Sequence, residues 1–117
     1  MLMMPAAAIV TMPSSGIGAP YPGARIETAP NLHLCSTRYR LSTEAGITQV
    51  ANFYMAEAKQ AGVPPLDDTA AKFGDYRTLA FVAQPKLMFV ILDRKAGRTF
   101  IVVTYQTRPG TECRERH

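Results

Sequence analysis

From Lys86 to Tyr105 the chain reads Lys-Leu-Met-Phe-Val-Ile-Leu-Asp, then Arg-Lys-Ala-Gly-Arg, then Thr-Phe-Ile-Val-Val-Thr-Tyr. Two apolar runs of strand length, separated by a short polar turn, predict a β-hairpin over 87–93 and 99–106. Gly97 supplies the left-handed conformation that such a tip needs. Both runs are apolar at odd and even positions, so both sheet faces are apolar there. One helix covers one face, and the other face needs a second cover.

Residues 31–41 alternate. His33, Cys35, Thr37, Tyr39 and Leu41 share one side, and Leu32, Leu34, Ser36, Arg38 and Arg40 share the other, which predicts a strand with one side ending in water. Ser42-Thr43-Glu44 reads as a helix start, with a hydroxyl cap and an acid at the positive end of the dipole. Ile47, Val50, Ala51, Tyr54, Ala58 and Ala61 then recur at helical spacing, and Gly62 with Pro64-Pro65 ends the helix. Phe53 and Tyr54 are expected to fill the space between helix and sheet. Residues 66–75 read as a polar linker with one short helical turn at 70–73, and 76–84 as a strand ended by Pro85. The order strand-helix-strand-strand-strand predicts a two-layer α+β fold. One long helix packs on a four-stranded, mainly antiparallel sheet, and the first strand joins the edge of a three-stranded meander by a right-handed crossover. Residues 1–30 read as an extended Pro/Gly-rich segment, 31–106 as the α+β domain and 107–117 as a polar tail.

Composition changes this picture little. A chain of 117 residues with 47% apolar and 19% charged residues is one ordinary globular domain. The net charge of +4 permits weak attraction to anionic partners but does not demonstrate it, because the basic residues are scattered rather than gathered in a stripe. The first twelve residues are strongly apolar, too short to span a bilayer and without a basic start. They read as a remnant of an export signal, an added extension, or a piece of structure lying across the uncovered sheet face. The sequence leaves open whether Cys35 and Cys113 are bridged. The default is a buried thiol at Cys35 and a free one in the tail.

Candidate chemistry is sparse. Ser15-Gly16-Ile17-Gly18 lacks the lysine and hydroxyl ending of a phosphate loop and follows no strand. His33 with Cys35, and Cys113 with His117, form the one grouping that resembles a zinc set, but the second pair sits in the tail and the default is no metal. Glu57, Asp67, Asp68 and Asp75 have no spacing that makes a carboxylate pair converge. Arg77 to Gln84, with Phe81 and Val82, is faintly similar to the aromatic strand of RNA-binding sheets, yet those folds need two helices. No catalytic, cofactor-binding or metal residue is assigned, and the chain reads as non-enzymatic.

Tyr21-Pro22-Gly23-Ala24 before a strand, and Val50-Ala51-Asn52-Phe53-Tyr54 in a helix closing near Ala61-Gly62, form a pattern. It resembles small bacterial envelope-associated proteins of uncharacterised function, over residues 20–106. Those proteins often carry glycine-tryptophan after the helix, where this chain has Gly62-Val63. The resemblance implies an exported or lipid-anchored domain and no catalytic residues.

The expected function is therefore a protein-interaction or structural domain of bacterial envelope type, self-associating through an apolar sheet face. Met88, Val90, Leu92, Ile101, Val103 and Tyr105 are the interface candidates. The expected partner is a second copy or another protein, without nucleic acid and with no cofactor. Membrane association would come only through an export or lipid signal missing from this sequence. The expected location is periplasmic or envelope-associated, with the cytoplasm as the alternative. A small apolar-ligand-binding domain, with Met88 as an adaptable wall and an enzymatic role not excluded, is the alternative function.

Overall fold

The structure, a computed structural model, describes residues 12–33, 35–69 and 75–109. Its elements are β1 (Arg25–His33), β2 (Ser36–Thr43), α1 (Ile47–Gln60), β3 (Pro65–Asp68), β4 (Tyr76–Ala83), β5 (Lys86–Lys95) and β6 (Arg98–Gln106). All strands lie in one six-stranded sheet of order β1-β2-β6-β5-β4-β3, and every adjacent pair is antiparallel.

This overturns the expected four-stranded sheet with one long helix. Two strands are added, one at each edge, and the helix has 14 residues. The stretch read as one strand over 31–41 holds a hairpin turn, with His33 opposite Ser36. The stretch read as extended chain supplies most of β1, and the polar linker supplies β3. Ser42 and Thr43 do not cap the helix. They extend β2, pairing with Phe100 and Thr99, and Gly46 takes the cap position. The expected helical turn at 70–73 lies outside the described residues, as do residues 1–11 and the last eight, 110–117.

The connection β2–α1–β3 carries the chain from one side of the sheet to the far edge, and the meander β3–β6 brings it back until β6 pairs with β2. The helix lies over β4 and β5. Its inward stripe is Val50, Ala51, Tyr54 and Ala58, all buried, and the two alanines permit close approach to the strands. At its end Gly62, with φ +74°, lets Gly62 N–H donate to Lys59 O at 3.1 Å and Val63 N–H to Ala58 O at 2.9 Å. These bonds satisfy carbonyls that a helix end otherwise leaves bare, and they fold Val63 into the core. Phe53, expected beneath the helix with Tyr54, is only half-buried and stands edge-on between Tyr21 and Tyr54.

The helix does not cover the β2–β6 half of its face. Residues 12–24 do. Ile17 and Ala19 are buried there, and Gly18 N–H donates to the Met88 thioether at 3.4 Å. Gly18 O accepts from the Tyr39 hydroxyl at 2.7 Å, and Gly16 N–H donates to Glu57 Oε2 at 2.8 Å, which ties the segment to the helix. The glycine pair that superficially suggested a phosphate loop is thus a lid over the core. Burial pushes the hydroxyls of Tyr39 and Tyr54 up and keeps both neutral.

Those two tyrosines give a paired prediction. Tyr39→Phe orphans the buried Gly18 carbonyl and is expected to cost about 1–3 kcal/mol. The buried Tyr54 hydroxyl makes no well-aligned hydrogen bond among the described residues, although it lies beside the Tyr39 hydroxyl and the Tyr21 backbone, so Tyr54→Phe is expected to cost less than Tyr39→Phe. Urea unfolding of both variants checks the pair, and equal losses would contradict it.

The β5–β6 turn is a two-residue loop, with Ala96 at φ 51° and Gly97 at φ 77°. Both signs are those of a type I′ turn, and Ala96 carries a side chain where one is disfavoured. Ala96→Asn is expected to raise stability by roughly 0.5–1 kcal/mol, read as a higher melting temperature. An unchanged or lowered value would remove the strain.

Candidate functional site: the uncovered sheet face

The six interface candidates occupy the covered face. Met88, Val90, Leu92, Ile101 and Val103 are fully buried, and Tyr105 nearly so, beneath α1 and the 12–24 segment. They are the core of the monomer, which corrects their expected place on the open side. The residues between them form the other face. That face carries Leu87, Phe89 and Ile91 on β5, and Phe100 and Val102 on β6, with Ala80 and Val82 on β4. No described segment lies over it, and Phe89 is 42% exposed at its centre.

The register lays these residues in cross-strand rows. One row runs Asn31, Arg38, Thr104, Phe89, Ala80 and Asp67 from β1 to β3. A neighbouring row places Arg40 opposite Val102 and Val102 opposite Ile91. The apolar centre is therefore flanked by cations on β2 and by an acid on β3. The Arg40 guanidinium lies 6.0 Å from the centre of the Phe100 ring, a cation–π distance. Arg38 and Asp67 are exposed, and neither forms an ion pair with another described residue.

Two shallow depressions mark this face. One, of about 300 Å³, is lined by Arg40, Tyr76, Ile91, Asp93 and Phe100. The other, of about 340 Å³, is lined by Asp67, Thr78, Ala80, Phe89 and Ile91. A polar cluster closes one end of the face. Ser42 donates to Glu27 Oε1 at 2.6 Å and accepts from Arg98, and Arg25 grips the same carboxylate at 2.7 Å. The Ser42 hydroxyl, then Arg25, hold Glu27 below the usual carboxylate range.

The edges are poorly suited to pairing with another chain. β1 carries Pro30 and two register irregularities, and β3 has four residues and begins at Pro65. Proline, bulges and short length are how sheets protect their edges. On the covered face of that edge, Arg77 makes a two-bond pair with Asp68, at 2.9 and 2.7 Å, which lowers the Asp68 carboxyl.

On the helix side, a larger depression of about 610 Å³ sits at the end of α1, lined by Met55, Ala56, Lys59, Val63, Pro64 and Pro65. The expected chemistry does not converge there or elsewhere among the described residues. Glu57 pins the lid, Asp68 pairs with Arg77 and Asp67 stands alone on β3. Cys35 is disulfide-bonded, its Sγ lying 3.5 Å from the Pro109 carbonyl, so it offers no thiolate to a metal. Cys113 and His117 lie outside the described residues. Phe81, the aromatic that suggested a nucleic-acid strand, faces the core and is fully buried. No described helix is long and apolar enough to cross a membrane.

No protein-family model, curated protein or solved structure matches this chain.

Proposed function

We propose that this chain is a protein-interaction domain of bacterial envelope type that self-associates through the open face of its sheet. The observation that carries the reading is the contiguous apolar centre Leu87, Phe89, Ile91, Phe100 and Val102, which no described segment covers on the face opposite the helix. Apolar patches of this kind on small proteins mark interaction surfaces. The face measures about 24 Å across the strands and about 30 Å along β6 by standard strand dimensions. That footprint approaches the ~800 Å² per partner of a standard interface. Protected edges leave the face as the route of association. The disulfide at Cys35 suits an oxidising compartment and supports an envelope location.

Sedimentation of the full chain over a range of concentrations tests the reading. A concentration-dependent dimer is expected for the wild type, and a monomer for Phe89→Glu. A wild type that stays monomeric at the highest concentration removes it.

A second reading rests on the helix-end depression, whose volume and aliphatic walls fit a small apolar ligand. A native mass spectrum of the purified protein showing an added small-molecule mass would favour it. A spectrum of bare protein would not.

A further inference from the structure

We infer that two copies associate face to face about a two-fold axis that runs along β5 through Phe89, so that Arg38 of each copy meets Asp67 of the other. This geometry rests on the self-association reading above and specifies it.

The row through the middle of the open face is the basis. Arg38 is opposite Thr104, Thr104 opposite Phe89, Phe89 opposite Ala80 and Ala80 opposite Asp67. Phe89 stands at the centre, with the cation on the second strand to one side and the acid on the second strand to the other. A two-fold axis parallel to the strands at β5 keeps the level along the strands and reverses the order across them. It places Phe89 on its own symmetry mate, Thr104 on Ala80, and Arg38 on Asp67. Each dimer gains that ion pair twice, because a two-fold interface is self-complementary.

The competing two-fold axis lies across the strands. It sets β2 over β2, bringing the arginines of both copies, Arg38 and Arg40, against one another. Like charges face to face disfavour that arrangement. The first axis sets Asp93 and Lys95 of β5 near their own symmetry mates, but those two charges already pair with each other at 3.4 Å within each chain, whereas Arg38 and Arg40 have no ion-pair partner among the described residues, which favours the first axis. Sheets packed in an aligned way lie about 10 Å apart with their strands within roughly 30°. At that spacing Phe89 fills the centre, and long side chains reach across the rim. Arg38 and Asp67 have no ion-pair partner among the described residues of their own chain, so no such pair must break first. A charged pair flanking an apolar centre matches the rim-and-core plan of protein interfaces.

The experiment is a charge swap read by sedimentation equilibrium on the full chain, with far-ultraviolet circular dichroism to confirm folding. Arg38→Glu and Asp67→Lys are each expected to raise the dimer dissociation constant about tenfold or more. The double variant restores the pair with reversed polarity and is expected to return to within about threefold of the wild type. Wild-type dissociation constants measured at rising salt, which require no substitution, are expected to increase. If the wild type dimerises but the double variant is weaker than either single one, this geometry is wrong while self-association stands. A dimer indifferent to salt and to both reversals likewise overturns the geometry alone. A wild type that is monomeric throughout overturns both, as does a monomer held on single-stranded RNA through the same arginines.

Discussion

Replacing Phe81 by alanine is expected to remove about 3–5 kcal/mol of stability, enough to leave a small domain marginal. The ring has no exposed surface and sits on β4 beneath α1, opposite Met88 on β5. Truncation loses its transfer free energy and leaves a cavity that the helix cannot fill by settling, because Ala51 and Ala58 already bring it close to the strands. The expected result in urea is a lower midpoint with an unchanged slope. Phe89→Ala is the internal control. Phe89 is a similar ring on the neighbouring strand, exposed on the other face, and its loss is expected to cost the monomer less than about 1 kcal/mol. Similar losses for both rings would mean that the two faces have been assigned wrongly.

Gly18→Ala is expected to cost about 2–5 kcal/mol, from two sources that act at one atom. Gly18 has φ +89°, a conformation costing a side-chain-bearing residue roughly 1–2 kcal/mol. A Cβ there would lie 2.7 Å from three carbons of the Tyr105 ring, and overpacking of a filled site costs about 1–3 kcal/mol more. The ring cannot swing away freely, since Tyr105 is itself nearly buried and packs edge-on with Tyr39. Gly16→Ala separates the two sources. Gly16 also has positive φ, at 79°, but nothing lies within 4 Å of its added Cβ. It should show the backbone cost alone. Equal melting temperatures for the two variants would show that contact with Tyr105 is unimportant.

The β5–β6 hairpin was readable because its residues agree at every level. β-branched and aromatic residues fill both strands, and Ala96-Gly97 marks the turn. The helix end was readable for the same reason, in Gly62 and the prolines after it. The β1–β2 hairpin was not, because the sequence between His33 and Ser36 holds no turn-forming residue. Alternation therefore seemed to run straight through it. β1 hid behind Pro30, which an edge strand tolerates, and β3 behind its two aspartates.

The candidate site was half legible. Apolar residues at both parities in β5 and β6 announced a second apolar face. The choice of which parity the helix takes was missed. Its signal lies at the strand ends, where Thr104 and Gln106 share a side with Phe100 and Val102, and where Arg38 and Arg40 lie across from them. The polar residues mark the wetter side. Tyr39 and Leu41, free of charged neighbours on their own side, mark the dry one.

The roof over the sheet is assembled from pieces made at very different times. Gly18 and the Met88 sulfur it touches are 70 positions apart, so the lid leaves the synthesising ribosome long before the strand it will cover. Until β5 and β6 emerge and join, Ile17 has no core to enter. Closing so long a loop is rewarded only when the meander is in place. During that interval the lid has nothing to rest on, and in the finished sheet the described residues shelter only the side that faces the helix.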